Sequence, residues 1–157
     1  MVKRTVVFLA LASLSGIAIA AGPSTVPNGY YGGYGDNCNV AYHISGKDVV
    51  ASAFNIGNAR SLPDTPETKK VIKYQTSGNR AGYNGTVVKN SADTLVVNFK
   101  TGTKHDPWIC QRTYRWAGGK LVEFSNRSLT PQACFNMHGG TWSWGSDTKS
   151  KLNYFGK

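Results

Sequence analysis

The sequence lacks the short motifs that mark most catalytic and metal sites. It contains neither a G-x-S-x-G nucleophile motif nor a phosphate-binding P-loop. Its three histidines, His43, His105 and His138, form neither H-x-H nor H-E-x-x-H, and no C-x-x-C pair is present. Because a metal site needs several ligands at suitable spacing, the sequence predicts no bound metal, and it predicts no cofactor.

Long hydrophobic runs are also missing. No apolar segment reaches the roughly 18–20 residues that a membrane-spanning helix needs. The N-terminus has the parts of a secretory signal peptide: the basic Lys3 and Arg4, an apolar segment at 6–14, and small residues at 18–20 that form an A-x-A cleavage site. We therefore predict that residues 1–20 are a signal peptide and that the protein is secreted or periplasmic. A membrane anchor is the alternative, which the short apolar segment disfavours.

Acidic residues are scarce. The chain has 8 Asp and Glu against 18 Lys and Arg, a net charge of +10, and loss of Lys3 and Arg4 with the signal peptide lowers this to +8. An excess of positive charge favours anionic partners, so we expect an anionic polymer, nucleic acid among them, or an acidic protein surface. The basic residues are spread along the chain, and a charge that serves only solubility is the alternative.

The region between the signal peptide and the first cysteine is rich in Gly, Tyr and Pro. Five glycines and two prolines fall within residues 22–37. Such a composition gives little apolar surface to bury, so we predict a flexible lead-in over residues 21–37. The rest, residues 38–157, is long enough for one domain, and a hydrophobic content of 40% for the whole chain excludes wholesale disorder.

From Cys38 onward the dominant hydrophobic period is two, which indicates β-strands. We predict an all-β, mainly antiparallel fold, either a small sandwich or a barrel of about seven to nine short strands. Two hairpins, at 86–99 and 108–124, are the clearest pairs because polar or glycine turns separate their alternating runs. The candidate strands are 38–44, 50–56, 71–74, 86–89, 94–99, 108–116, 121–124, 141–144 and 152–155.

One short helix is predicted near residues 131–138. Thr130 is a suitable N-cap, Pro131 suits the first helical position, and Gly139 suits the left-handed residue that ends a helix. Leu129 and Cys134 have the spacing of a hydrophobic staple.

The three cysteines are candidates for a disulfide, because an exported chain meets an oxidising compartment. We predict a bridge between Cys110 and Cys134, which would join the second hairpin to the following helix and leave Cys38 as a thiol or as a link between two chains. A bridge from Cys38 to either of the others is the alternative. Cys134 and His138 are spaced to share a helix face, but one such pair is at most half of a zinc site.

Two groups of aromatic and basic residues are candidates for a binding surface. One consists of the even-numbered residues of 108–116, which share a face of the predicted strand, together with the adjacent Arg115. The other is the pair of indoles of Trp142 and Trp144. Exposed indoles would stack on a sugar ring or a base, whereas buried ones would belong to the core. The predicted binding residues are Arg112, Tyr114, Arg115, Trp116, Trp142 and Trp144.

Binding without catalysis is the leading functional hypothesis: an inhibitor, a surface-interaction module or a binder of anionic ligands. The alternative is a small secreted hydrolase, a ribonuclease in which Glu123 and His138 supply the base and the acid and Arg127 contacts the phosphate. A cross-strand ion pair of Glu123 with Arg112 or Arg115 is the structural explanation of the same carboxylate.

The predicted export of the protein can be tested by mass spectrometry. The secreted or periplasmic protein should begin at Ala21 or Gly22, since cleavage follows the A-x-A site. Recovery of an intact Met1 in the membrane fraction would contradict the signal peptide.

Overall fold

The computed structural model describes residues 23–35, 38–56, 61–78, 82–134 and 150–157. In this part of the chain, eight β-strands follow one another, with one helix between the third and the fourth. The strands are β1 (Gly29–Gly35), β2 (Cys38–Ser45), β3 (Asp48–Phe54), β4 (Tyr83–Asn90), β5 (Thr94–Gly102), β6 (Pro107–Ala117), β7 (Lys120–Ser128) and β8 (Lys151–Tyr154), and the helix is α1 (Pro66–Gln75).

The strands form a closed antiparallel barrel. Each strand pairs with the next along the sequence, and β8 pairs back onto β1. The prediction of an all-β, mainly antiparallel fold is confirmed, and of its two architectures the structure has the barrel. Both predicted hairpins are present, as β4–β5 and β6–β7.

The connections differ between the two ends of the barrel. At one end, which we call the turn end, the short turns 45–48, 90–94 and 117–120 join the strands. At the other, the loop end, β3 leads to β4 through α1, and the segment 129–150 joins β7 to β8. Loops of this kind carry function on β scaffolds more often than tight turns do.

The glycine-rich segment before Cys38 is part of the barrel. Residues 29–35 pair with β2 on one side and with β8 on the other, so the predicted flexible lead-in does not hold for them. A Cβ at Gly33 would clash with the backbone carbonyl of Lys151, and a Cβ at Gly32 would clash with the side chain of Ile72. Close packing against β8 and α1 therefore explains these glycines, and flexibility does not.

Helix α1 lies where the sequence indicated a loop followed by a strand at 71–74. Thr65 is its N-cap, with a side chain that accepts a hydrogen bond from the backbone N–H of Thr68 at 3.2 Å, and Pro66 occupies the first turn. Ile72 is fully buried and packs on the outer surface of β1 and β2. The strand prediction failed because Ile72 contacts the barrel through one face of a helix.

The predicted helix at 131–138 is described only in part. Residues 131 and 132 form a bend, residues 133 and 134 have no regular secondary structure, and residues 135–138 lie outside the described residues. The indole N–H of Trp108 donates to the carbonyl of Ala133 at 2.7 Å, and the hydroxyl of Thr130 accepts from the backbone of Ile109 at 3.3 Å. These contacts hold the segment against β6 in a non-helical form.

The main hydrophobic core lies inside the barrel. At the turn end, Tyr31, Trp116 and Tyr154 form a cluster of rings with centroids 5.0–6.0 Å apart. Val26 is buried beside this end, and the side-chain amide of Asn90 pairs with both its backbone N–H and its carbonyl. The segment around Val26 therefore lies against the turn end.

The disulfide between Cys110 and Cys134 is present, as predicted. It joins the interior side of β6 to the chain that follows β7, and both cysteines are buried. Cys38 is also buried, and its thiol donates to the carbonyl of Gly35 at 3.3 Å. In this structure the Cys38 thiol is therefore not presented to a second chain.

Reduction of the disulfide should destabilise the barrel. In the loop-entropy treatment, opening a loop of about 25 residues lowers the free energy of unfolding by about 3 kcal/mol. Denaturant unfolding with and without reductant measures this difference. The double variant Cys110→Ala/Cys134→Ala should lose the response to reductant, whereas Cys38→Ala should keep it. A response that depended on Cys38 would contradict the pairing.

Candidate functional site

Strand β6 divides the predicted binding residues between the two faces of the barrel wall. Arg112 and Tyr114 point inward and are fully buried, and Trp116 packs against the same interior cluster. Arg115 points outward and is exposed. Because side chains alternate along a strand, the face shared by Arg112, Tyr114 and Trp116 is the inside of the barrel. Of these four residues, Arg115 is the one that presents its charge to solvent.

A β-bulge in β7 reverses the alternation beside the predicted catalytic carboxylate. The register shifts between Thr113 and Tyr114 of β6, which makes Phe124 the extra residue on β7. Glu123 consequently points inward and is 1% exposed, whereas Arg127 points outward. Without the bulge, two residues four positions apart would lie on the same face.

Inside the barrel, Arg112 and Glu123 form an ion pair. Arg112 Nη1 lies 3.4 Å from Glu123 Oε2, and neither side chain is exposed to solvent. Glu123 Oε1 also accepts from Asn126 Nδ2 at 3.2 Å, and Oε2 accepts from the backbone N–H of Ser150 at 3.4 Å. The buried carboxylate thus has partners on both oxygens, as a charge removed from water requires. The pairing with Arg112 is one of the two cross-strand pairs that the sequence left open.

Two tyrosines extend this polar interior. The hydroxyls of Tyr42 and Tyr114 are 2.6 Å apart, and their rings meet edge to face. Burial raises the pKa of Tyr114 well above its ordinary value, and the neighbouring Tyr42 and Glu123 act in the same direction. Tyr114 is therefore neutral over the physiological range and serves as a hydrogen-bonding group of the core.

The grouping expected for a ribonuclease is not assembled among the described residues. Glu123 lies inside the barrel in contact with Arg112, and Arg127 lies on the outer surface of the same strand. His138 lies outside the described residues, as do the two predicted binding residues Trp142 and Trp144. The structure therefore brings Glu123 together with an arginine other than the one in the catalytic hypothesis.

Positive charge collects on the outer surface of β6, β7 and β8. Four exposed cations project from these strands, and we call them the basic face: Arg115, Lys120, Arg127 and Lys151. Glu123 is the one carboxylate within the three strands, and it points inward. Because Arg112 neutralises Glu123 inside, no carboxylate of these strands offsets the charge outside.

The register brings members of the basic face close together. Arg115 lies opposite Val122, which in turn lies opposite Lys151, so two strand spacings, about 10 Å, separate the backbones of the two cations. Lys120 lies two positions before Val122, on the same side of β7. An anionic partner of moderate size can therefore contact several of these charges at once.

Two of the arginines are held in place by neighbouring side chains. The guanidinium carbon of Arg115 lies 5.7 Å from the ring centroid of Phe124, an exposed aromatic residue. Arg127 Nε donates to Gln111 Oε1 at 2.9 Å. Such contacts restrict the side chains before a ligand arrives and so reduce the entropy lost on binding.

Lys120 and Lys151 were not among the predicted binding residues. The period of two in β6 shows that there are two faces, but it does not show which one is inside. Cys110 carries the missing signal, because a disulfide cysteine is usually buried and it shares a face with Arg112 and Tyr114. If that face is assigned to the interior, the alternate residues of β6 point outward and are the candidates for a binding surface.

Comparison of this chain with protein-family models, with curated proteins and with solved structures gives no significant match. Within the described residues, no helix is long and apolar enough to cross a membrane. The same residues include no group of three or more His, Cys, Asp or Glu that could hold a metal ion.

The buried ion pair should behave as a coupled unit in stability measurements. Glu123→Ala should lower the free energy of unfolding by about 3–5 kcal/mol, because it leaves the charge of Arg112 buried beside a cavity. The double variant Arg112→Met/Glu123→Leu should be less destabilised than the sum of the single variants Arg112→Met and Glu123→Leu. Urea unfolding of these four variants measures the coupling, with Arg115→Met as a control on the outer side of β6. Additive effects would contradict the pair.

Proposed function

We propose that this protein acts by binding, and that the basic face contacts an anionic polymer or an acidic protein surface. The observation that carries the proposal is the segregation of charge on β6, β7 and β8. Their four outward cations are exposed, while their one carboxylate is paired inside the barrel. Such a surface attracts anions, and no carboxylate of these three strands competes with a ligand for the outward cations.

A rigid support favours the same function. The basic face lies on consecutive strands of a closed barrel, and β6 is bonded along most of its length to β5 and β7. Fixed charges on such a scaffold lose little freedom when a ligand binds. Binding energy then goes into affinity for the partner, and the protein needs no conformational change to present its cations.

The proposal predicts that binding depends on which cations are removed. The basic-face variant Arg115→Gln/Lys120→Gln/Arg127→Gln/Lys151→Gln should bind heparin and polyphosphate roughly tenfold or more weakly at low salt, since each change removes one attractive charge. The control, with the same change in net charge, is Lys47→Gln/Lys70→Gln/Lys89→Gln/Lys104→Gln, which alters exposed lysines elsewhere. Isothermal titration calorimetry measures both.

Salt supplies the second arm of this experiment. At about 0.15 M ionic strength the Debye length falls to about 8 Å, so the affinity of the unmodified protein should fall as salt is added. If the two variants lose affinity equally, net charge alone determines binding, and the basic face is not the binding site. Cleavage of RNA by the unmodified protein, abolished in Glu123→Gln, would replace the binding proposal with the ribonuclease alternative.

A further inference from the structure

A polar groove lies on the outer surface of the barrel across β3, β4 and β5. It has a volume of about 490 Å³. Five hydrogen-bonding or charged residues line it: Asp48, Asn84, Thr86, Asn98 and Lys100. No aromatic residue is among its lining residues, which include two valines and a glycine besides these five. The groove therefore offers hydrogen bonds and charges to a ligand, without a surface for stacking.

One row of side chains connects this groove with the basic face. Asp48 lies opposite Thr86, Thr86 opposite Asn98, Asn98 opposite Gln111, and Gln111 opposite Arg127. We call these five residues the polar ladder. It crosses five neighbouring strands, a distance of about 19 Å at the usual strand spacing. A carboxylate stands at one end and a guanidinium at the other.

The arginine fixes the direction of the hydrogen bonds along the ladder. A guanidinium can only donate, so Gln111 must turn its oxygen toward Arg127, and the two atoms are 2.9 Å apart. Gln111 Nε2 then faces the other way and donates to Asn98 Oδ1 at 2.9 Å. Asn98 thereby keeps its amide N–H groups for the groove. The orientation of both amides follows from the chemistry of one residue.

The chemistry of a fitting ligand follows from this arrangement. The amide N–H groups of Asn98, the ammonium of Lys100 and the remaining N–H groups of Arg127 are donors, so they suit carboxylate or sulfate oxygens. Asp48 accepts hydrogen bonds and repels anions, so it suits hydroxyl groups. A ligand that matches both ends carries hydroxyls as well as acidic groups and extends over several strands.

We propose that the groove and the polar ladder bind a segment of an acidic polysaccharide that runs across the strands. Its carboxylate or sulfate groups lie at Lys100 and Arg127, and its hydroxyls lie at Thr86 and Asp48. This inference rests on the proposed function and deepens it, because it names the class of anionic polymer. A nucleic acid fits less well, since single-stranded bases bind by stacking on aromatic side chains and the groove has none.

The test uses two changes that leave the net charge untouched. The groove variant is Asn84→Ala/Asn98→Ala, and the control is Thr113→Ala/Ser125→Ala, a directly opposed polar pair on the outer surface of β6 and β7. The groove variant should bind polygalacturonate and heparin hexasaccharides about tenfold more weakly, because it removes hydrogen bonds to charged groups. Its affinity for polyphosphate, which the cations recognise by charge, should stay within about twofold of the unmodified protein.

A second measurement guards against a loss of folding. In the intact protein, the side-chain amide signals of Asn84, Asn98 and Gln111 should shift in NMR spectra when the hexasaccharides are added. Addition of polyphosphate should not shift the signals of Asn84 and Asn98. Melting temperatures of the two double variants should agree, because the exchanged side chains are at the surface.

The outcomes separate the groove from the basic face. If the groove variant binds both hexasaccharides as well as the unmodified protein does, the groove proposal fails while binding through the basic face stands. If the groove variant loses affinity for single-stranded RNA instead, the polysaccharide assignment is overturned. If the unmodified protein binds none of these polyanions, both the groove proposal and the binding of anionic polymers by the basic face fail. The groove proposal is supported if the groove variant loses affinity for both hexasaccharides but not for polyphosphate or RNA, and if the amide signals of the intact protein shift as expected.

Discussion

The pairing of β8 with β1 is the constraint on which the rest of the structure depends. It turns a row of hairpins into a closed surface, so that every strand has an inside and an outside. The closure requires glycine at Gly33, where the backbone of Lys151 approaches too closely for any side chain. Once the barrel is closed, the alternation of each strand decides which residues form the core and which face solvent.

This division has an electrostatic consequence. The interior takes up Glu123 together with Arg112, and the outside keeps the cations of β6, β7 and β8. A one-residue bulge at Phe124 places Arg127 outside and Asn126 within reach of the buried carboxylate. The bulge thus gives the buried carboxylate of Glu123 a further hydrogen-bond donor and places the charge of Arg127 on the outer surface.

The sequence predicted the class of fold, both hairpins and the disulfide, because a period of two and regular turns are local signals. It did not predict the orientation of β6, since alternation is symmetric and burial depends on the whole barrel. No residue type marks the bulge at Phe124 in the sequence, so the sequence did not predict that Glu123 and Arg127 lie on opposite faces of β7. Helix α1 did carry a local signal in Thr65 and Pro66, but a short apolar run at 71–74 resembles a strand as readily as one helix face.

The closure of the barrel by its first and last strands also has a mechanical consequence. β1 and β8 are antiparallel neighbours, so the first residue of β1 and the last residue of β8 lie at the same end of the barrel. A force that separates these two points loads first the backbone hydrogen bonds that join Tyr30 to Phe155 and Gly156. The remaining pairs between β1 and β8 are then loaded one after another. We therefore expect little mechanical resistance when the barrel is pulled apart at these two points, because its hydrogen bonds break in succession. The disulfide keeps β6 joined to the segment that follows β7 under the same force.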